Sequence, residues 1–256
     1  MKNFNTFCRL MLFGIICTLS LPAFSQGVAV YKKDGTMVKY AYEEIDSIVT
    51  YNYGEEPTPP STSPYEAVDL GLSVKWATCN VGASSPEEYG GYYAWGETEE
   101  KDDYSWSTYK WGNGSYDSLT KYCTSSSYGT VDNKIILDPE DDVAHVKWGG
   151  TWRMPTKVEQ DELRNNCTWI WTTLNGVNGY KVYGPNGNSI FLPAVGYCDG
   201  VEDQSRGGYL SYGYYWSSSL YIDNIDYAYC LYFQSDYRSF VGHVRYRGCS
   251  VRPVSK

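Results

Sequence analysis

The chain has 256 residues, a formal net charge of −9, 17% aromatic residues and 27 tyrosines. This length allows one substantial domain and a small additional unit. The acidic balance argues against nucleic acid or an anionic membrane surface as a partner.

Residues 1–25 have the pattern of a secretory signal peptide. A start with two basic residues leads into an apolar run at 10–21, and the sequence A-F-S at 23–25 fits a small-x-small cleavage site. The apolar run is too short to span a bilayer, and no other stretch approaches the roughly 20 apolar residues of a membrane helix. Cleavage before Gln26 would remove two of the 21 basic residues and none of the 30 acidic ones, which leaves a net charge of −11. The sequence therefore predicts an exported protein that is periplasmic, at the cell surface or secreted.

Residues 26–53 are predicted to form a small β-hairpin module. Two apolar strands, 28–31 and 37–42, flank the turn signal K-D-G-T. Residues 54–64 (G-E-E-P-T-P-P-S-T-S-P) contain four prolines and no large apolar side chain, so an extended linker is expected. We therefore place the main domain at residues 65–256.

The first half of the main domain predicts short strands and long loops. Residues 68–77 (V-D-L-G-L-S-V-K-W-A) are interpreted as strand, turn and strand. The sequence S-P-E-E at 85–88 places proline and acids where the first turn of a short helix favours them. Residues 90–97 predict a buried aromatic strand between glycines. Residues 99–130 predict a loop dense in tyrosine, tryptophan, serine and glycine.

Residues 138–142 (D-P-E-D-D) form an acidic cluster. Calcium could use these oxygens, but the spacing is not that of an EF-hand loop, and a solvated acidic turn is the favoured interpretation. His145 follows in an apolar context and is interpreted as structural.

The clearest helix begins after Thr156. Thr156 and Glu159 match a capping box, and Val158 with Leu163 gives a short amphipathic face that ends near residues 165–166.

Three further strands are predicted after this helix. The first covers residues 169–172. The other two, 180–183 and 189–192, form a hairpin around the turn sequence G-P-N-G-N at 184–188.

The C-terminal region combines strict alternation with a restricted set of residue types. Tyr229, Leu231 and Phe233 alternate with more polar residues, as in a half-buried strand. Residues 217–251 contain no Lys, Glu, Met or Trp and a single Gln, Gln234. All other residue types present there have codons that end in a pyrimidine, as expected if asparagine codons were randomised at their first two letters. An ordinary loop rich in Tyr, Ser and Asp is the alternative.

Six motifs, in this order, resemble the major paralogous domain family first named from Fibrobacter succinogenes and abundant in exported Bacteroidetes proteins. They are V-D-L-G-L-S-V-K-W-A (68–77), Y-Y-A-W-G-E (92–97), W-G-G-T-W-R-M-P-T (148–156), I-F-L-P-A-V-G (190–196), Y-Y-W-S-S-S (214–219) and G-C-S-V-R-P-V (248–254). The resemblance covers residues 65–254. It implies an α+β, C-type-lectin-like fold related to formylglycine-generating enzymes, with short strands, one or two short helices and long aromatic loops. In such a fold the first and last strands pair, here 72–77 with 250–254.

The region 217–251 also resembles the variable region of proteins diversified by retroelements, which lies on this same fold. Mutagenesis directed at adenines would produce the restricted alphabet, and Gln234 does not fit it. The positions interpreted as fixed are Tyr215, Trp216, Ala228, Leu231, Phe233, Arg245, Gly248 and Val251. The positions interpreted as variable, and hence as ligand-binding, are Tyr221, Asp223, Asn224, Asp226, Tyr232, Asp236, Tyr237, Arg238, Phe240, His243 and Arg247.

Sequence motifs of the common enzyme classes are absent from the chain. There are two histidines, and no H-E-x-x-H, G-x-S-x-G, phosphate-binding loop or dinucleotide fingerprint occurs. Without signal-peptide residues six cysteines remain, which allow 15 pairings, and no C-x-x-C spacing suggests a zinc site. Formylglycine-generating enzymes use a cysteine pair, but Cys230 and Cys249 are better interpreted as a chance pair or a disulfide across neighbouring strands. No catalytic residue, metal site or cofactor is predicted.

The leading hypothesis is an exported, non-enzymatic protein that binds a macromolecular ligand, protein or glycan, through its C-terminal surface. Ten tyrosines lie between Tyr209 and Tyr246, and tyrosine mixed with serine and glycine is also the composition of antibody loops. The alternatives are a glycan-binding adhesin of fixed specificity, a structural surface protein and, third, an oxidoreductase of the formylglycine-generating type.

Overall fold

The computed structural model describes residues 27–31, 36–41, 65–200, 206–207 and 211–256. The chain divides into two units, Met1–Pro60 and Ser61–Lys256. The predicted signal peptide, the proline-rich linker and most of the hairpin turn of the N-terminal module lie outside the described residues.

The N-terminal unit contains the predicted hairpin. Its strands are β1 (Gly27–Tyr31) and β2 (Met37–Ala41). They pair antiparallel, with Val30 opposite Val38. The two apolar stretches of the sequence therefore form the two strands, as predicted.

In the larger unit, the two ends of the domain meet in one sheet. Strands β3 (Ala67–Val68) and β4 (Lys75–Ala77) pair antiparallel, and the last strand of the chain, Val254–Ser255, pairs with the other edge of β4. The expected pairing of first and last strands is present, although the last strand is shorter than residues 250–254.

Two short helices and one 3-10 turn lie in the middle of the unit. The 3-10 turn is Pro139–Asp141, and the helices are α1 (Val143–Trp148) and α2 (Lys157–Asn166). The capping box at the start of α2 is present as predicted.

The apolar face predicted for α2 is wrong at one position. Leu163 is fully buried and Gln160, three residues earlier, lies on the same face, whereas Val158 is 73% exposed. Residues three apart share a helix face and residues two apart do not, so Val158 points away from the core.

A three-stranded sheet follows α2. It consists of β5 (Thr168–Leu174), β6 (Val177–Tyr183) and β7 (Ser189–Pro193), in that order and antiparallel. The predicted strand and hairpin are thus confirmed. A small pair, β8 (Tyr197–Cys198) and β9 (Arg206–Gly207), comes next.

The C-terminal sheet contains β10 (Gly213–Leu220), β11 (Tyr227–Gln234) and β12 (Tyr237–Val244), with β11 in the centre. The last strand of the chain is β13 (Val254–Ser255). Residues paired across strands share a face, which defines two faces. The face we call the Tyr232 face presents Tyr214, Trp216, Ala228, Cys230, Tyr232, Gln234, Tyr237, Ser239, Val241 and His243. The opposite face, which we call the Leu231 face, presents Tyr215, Tyr227, Tyr229, Leu231, Phe233, Arg238, Phe240 and Val244.

This sheet separates the two main apolar clusters of the unit. On the Tyr232 face, Trp216 and Cys230 pack in a cluster that includes Trp95. On the Leu231 face, Phe233 packs in a cluster that includes Trp76. The expectation of a half-buried strand is therefore wrong for the middle of β11, because both of its faces meet a core there.

Two other expectations for the first half of the domain are wrong. Residues 85–88 form turns and not a helix. The Glu88 amide donates to the Ser85 carbonyl, and the Glu88 carboxylate accepts hydrogen bonds from the amide and hydroxyl of Ser84. Residues 91–97 are buried and Gly90 is half-buried, but residues 90–97 form no strand. Tyr93 pairs with Cys249 and Trp95 with Arg245, one residue at a time.

The described part of the chain is an α+β arrangement of small antiparallel sheets with few helices. Among its helices, none is both long and apolar enough to cross a bilayer.

Candidate ligand-binding surface

The eleven predicted ligand-binding residues do not form one patch. Four lie in the loop 221–226 that joins β10 to β11, and others lie at or beside the turn 235–236 that joins β11 to β12. Because adjacent strands are antiparallel, these two connections lie at opposite ends of the sheet. Their exposure also differs. Asp223, Asp236 and Tyr237 are exposed, His243 is buried, and the other seven are half-buried.

A continuous row of tyrosine rings lies at the turn end of the Tyr232 face. Tyr232 stacks on Tyr212 with ring centroids 6.0 Å apart, and it lies 4.9 Å from Tyr214 and 6.2 Å from Tyr237. Tyr197 extends the row, 4.9 Å from Tyr214. We call these five residues the aromatic strip.

Three members of the aromatic strip were not predicted. Tyr197, Tyr212 and Tyr214 precede residue 217, where the restricted alphabet begins, so that criterion could not find them. The spacing of Tyr212, Tyr214 and Trp216 was an available signal, because alternate residues of a strand share a face.

Gln234 holds Tyr232 in position. The Tyr232 hydroxyl donates to Gln234 Oε1 (3.0 Å), and Gln234 Nε2 donates to Asp236 Oδ1 (3.1 Å). Burial and the neighbouring Tyr212 raise the pKa of Tyr232, so its hydroxyl stays protonated and can donate. The one residue that does not fit the alphabet therefore orients a central ring of the strip.

His243 is not a surface residue, which corrects its assignment as ligand-binding. It is 5% exposed, and its ring lies 4.8 Å from Tyr197, 4.9 Å from Tyr214 and 5.7 Å from Trp216. Burial lowers its pKa to about 3, so the imidazole is neutral near pH 7, and Nε2 has no hydrogen-bond partner. The side chain faces inward because position 243 shares the Tyr232 face at its covered end.

Arg247 forms the inner border of the strip. Its guanidinium lies 5.0 Å above the Tyr197 ring, and Nη2 is 2.7 Å from Asp199 Oδ2. Burial alone would lower the pKa of Arg247, but Asp199 outweighs it and raises the pKa. The strip thus ends in a pair of compensated charges.

The predicted residues on the Leu231 face contact the protein itself. The Arg238 guanidinium lies 5.3 Å from the Trp169 ring, and the Arg164 guanidinium lies 4.9 Å from the Phe240 ring. Tyr221 packs on Tyr229 with ring centroids 4.8 Å apart. These side chains are half-buried between the sheet and its neighbours.

The acidic cluster is an ion-pair network, so the expectation of a solvated turn is wrong. Asp138, Glu140 and Asp141 bring oxygens within 4.8 Å of one another. The Lys121 ammonium lies 2.6 Å from both Asp138 and Asp141, and Tyr122 donates to Asp141. Asp141 is 1% exposed. Lys121 thus occupies the oxygens that a cation would need.

Cys230 and Cys249 are both fully buried, and no disulfide joins them. Cys230 lies opposite Trp216 across one edge of β10, whereas the segment of Cys249 pairs with its other edge, through the bridge Tyr215 to Ser250. The prediction that these two cysteines lie on neighbouring strands is therefore wrong. Burial, with the contacting Cys230 thiol, raises the pKa of Cys249, so its thiol is protonated and a poor nucleophile.

A cavity of about 400 Å³ lies beside α1, lined by Leu137, Trp152 and Met154 among others. Two of its polar side chains are already engaged. Asp142 accepts from three backbone amides, Ala144, His145 and Met154. His145 Nδ1 is 3.2 Å from the Trp152 carbonyl, in keeping with its interpretation as structural. The cavity is therefore mainly an apolar space.

By fold and surface, the described chain is an α+β protein with an aromatic surface on its C-terminal sheet. The sequence profile of a family described as Domain of unknown function (DUF8237) matches residues 165–254. The match begins in α2, ends in β13 and includes the whole aromatic strip. No curated protein and no solved structure matches the chain.

Proposed function

We propose that this protein is a non-enzymatic binding protein that contacts a macromolecular ligand through the aromatic strip. The observation that carries the proposal is the continuous row of tyrosine rings, half-buried along its length and 51% exposed at Tyr237. Tyrosine offers large contact area with few rotatable bonds to order, which lowers the entropic cost of binding. Hydrogen bonds through Gln234 reduce that cost further for Tyr232.

A C-type-lectin-like fold and diversification of residues 217–251 are part of the proposal. The pairing of β4 with β13 supports the fold. Support for diversification comes from burial, because ten of the eleven positions interpreted as variable retain some exposure. The positions interpreted as fixed are all buried: Tyr215, Trp216, Ala228, Leu231, Phe233, Arg245, Gly248 and Val251.

Diversification has a direct genomic test. The proposal requires a nearby copy of the coding sequence for residues 217–254 with asparagine codons at the variable positions, and an adjacent reverse transcriptase. A genome with neither would leave a protein of fixed sequence.

The binding proposal is tested with the purified protein on two arrays, one of extracellular and surface proteins and one of glycans. We expect a protein ligand, and binding at least about tenfold weaker for a Tyr232→Ala, Tyr237→Ala double variant. Tyr116→Ala is the matched control, since Tyr116 is 50% exposed in another loop. Equal binding by the double variant, or no binding to either array, would contradict the proposal.

A glycan-binding adhesin is the second candidate. Tyr212 and Tyr232 are stacked with an angle of 21° between their ring planes, and the outer face of a stacked aromatic pair can pack against a sugar ring. Signals confined to the glycan array and abolished in the double variant would favour it. Export remains part of either proposal, and detection of the protein outside the cytoplasm with an N-terminus at Gln26 would support it.

A further inference from the structure

Arg245 is a buried cation surrounded by neutral acceptors. It is 0% exposed. Its Nε donates to the Tyr109 hydroxyl (3.0 Å), Nη1 to the carbonyls of Tyr122 and Ile225 (both 3.1 Å), and Nη2 to the carbonyl of Lys121 (3.1 Å). The guanidinium lies 4.9 Å from the Trp95 ring. One side chain thus joins three segments that are distant in the sequence.

The hydrogen bonds between Arg245 and the loop 221–226 involve only main-chain atoms of the loop, and the Asp226 carboxylate adds an electrostatic attraction. The Ile225 carbonyl accepts from Nη1, and the Asp226 carbonyl accepts from the Arg245 amide (3.0 Å). Within the loop, the Asn224 amide donates to Tyr221 and the Tyr227 amide donates to Asn224, again between main-chain atoms.

The polar side chains of the loop contribute little to its support. Asn224 Oδ1 and Asp226 Oδ1 are buried without a partner, and Asp223 is exposed. Apart from the main chain, the loop is anchored by the Ile225 side chain, which is 4% exposed, and by the Tyr221 ring, which packs on Tyr229. A buried acceptor without a partner costs stability, so these two oxygens do not hold the loop in place.

We propose that Arg245 is the positioning residue of this loop and sets its backbone conformation whatever polar side chains occupy positions 223, 224 and 226. The rigid guanidinium fork reaches several carbonyls at once, whereas the single ammonium of lysine cannot reproduce that geometry. Loop residues could then differ between related proteins without loss of loop order. This consequence for binding rests on the proposed function, whereas the structural role does not.

Arg252 provides a matched control. It is also buried, at 1% exposure, and its guanidinium also binds main-chain carbonyls, those of Ala77 and Thr78. It supports β4 and the segment after it and has no contact with the loop in these hydrogen bonds. A general effect of replacing a buried arginine would therefore appear whether Arg245 or Arg252 is replaced, whereas a specific effect on the loop would appear only when Arg245 is replaced.

The test is amide hydrogen exchange of the full chain in Arg245→Lys, Arg252→Lys and a triple Asp223→Ala, Asn224→Ala, Asp226→Ala variant. In Arg245→Lys we expect the amides of Asn224 and Tyr227 to exchange at least about tenfold faster, with less change at Ala77 and Val81. Arg252→Lys should show the opposite pattern. The triple variant should keep the exchange of the Tyr227 amide within about threefold of wild type.

Equal acceleration of both regions in Arg245→Lys, or acceleration of the loop in the triple variant, would overturn the proposal. Should Arg245→Lys not fold, Tyr109→Phe removes one acceptor of the guanidinium and should give a smaller change of the same pattern. Binding on the arrays is measured separately. If the protein binds nothing on the arrays, the exchange result still stands. If the loop amides of Arg245→Lys exchange as in wild type, the role of Arg245 is refuted even if the aromatic strip binds a ligand.

Discussion

Side chains two positions apart at the end of β12 have different environments. His243 lies among aromatic rings with an unsatisfied nitrogen, whereas Arg245 has acceptors for each of its guanidinium nitrogens. A guanidinium over aromatic rings gains a favourable interaction that partly offsets its loss of hydration. Arg245 therefore stabilises the surrounding segments, and His243 chiefly fills space between rings.

Asp226 is predicted to lower stability at neutral pH. Burial raises the pKa of Asp226 above its ordinary value of 3.8, and one carboxylate oxygen has no partner. A raised folded pKa means that the ionised form is disfavoured in the folded state, a cost that disappears as the pH falls through that pKa. Asp226→Asn should stabilise the protein by less than about 1 kcal/mol at pH 7, with a smaller gain in acid.

This prediction is checked by chemical denaturation, which measures the free energy of unfolding. The measurements cover about pH 4 to pH 7, the range in which the carboxyl group titrates. Asp223→Asn in the same loop is the control, because Asp223 is exposed and should show no gain of this kind. A loss of stability in Asp226→Asn at pH 7 would contradict the prediction.

At the scale of elements, α2 begins with a network that combines its cap with an ion pair. Glu159 accepts from the Thr156 amide and from Arg153, whose Nη1 lies 2.7 Å from Glu159 Oε2. Glu159 is the third residue of the helix, where the helix dipole also favours the negative charge of its carboxylate. Local sequence was sufficient to predict the capping box, but not Arg153, which comes from the preceding extended segment.

Glu159→Gln is predicted to destabilise the protein by about 1–2 kcal/mol at pH 7. Burial alone would raise the pKa of Glu159, but the hydrogen bonds from Arg153 and Thr156 outweigh it and hold the pKa below the ordinary value of 4.5. A depressed folded pKa adds stability above the unfolded pKa that is lost as the pH falls through the folded one. The difference from wild type should therefore narrow below about pH 4.5 in denaturation experiments.

Asp161→Asn is the control for Glu159→Gln. Asp161 pairs with Lys157 and Arg164 on the more exposed side of α2, and such pairs contribute less than about 1 kcal/mol. Equal effects of the two substitutions would contradict the role assigned to Glu159.

The strand order of the C-terminal sheet predicts that Cys230 and Cys249 do not form a disulfide. Their thiols contact each other, but the two residues lie beyond opposite edges of β10, so their backbones are about two strand spacings, roughly 10 Å, apart. A disulfide requires Cα atoms within about 7 Å. Peptide mapping of the purified protein without reductant should find no peptide in which these two residues are linked, and finding one would contradict the strand order.

At the scale of the whole larger unit, β13 closes the fold. Val254 is fully buried and lies opposite Trp76 of β4, and its amide and carbonyl also bind Arg153. The last residues of the chain thus join β4 to the segment that precedes α2. Folding of this unit depends on contacts between residues almost 180 positions apart.

Val254→Ala is predicted to cost about 2–3 kcal/mol, since it leaves a space among packed side chains. Val158→Ala is the matched control, because Val158 is 73% exposed and should change the stability by less than about 0.5 kcal/mol. Equilibrium unfolding followed by tryptophan fluorescence measures both. Similar losses in the two variants would indicate that Val254 has no special role in closing the fold.

Local patterns in the sequence determined the N-terminal hairpin, the capping box of α2, the hairpin of β6 and β7 and the inward position of Leu231 and Phe233. Each of these features depends on residues that are close together in the sequence or on the alternation of side chains along a strand. Tertiary structure alone decided that Cys230 and His243 are buried, that Val158 is exposed and that Tyr197 joins Tyr214. The physical reason is that exposure in this sheet is set by which distant segment covers each face, and the period of a strand fixes the faces without fixing their neighbours.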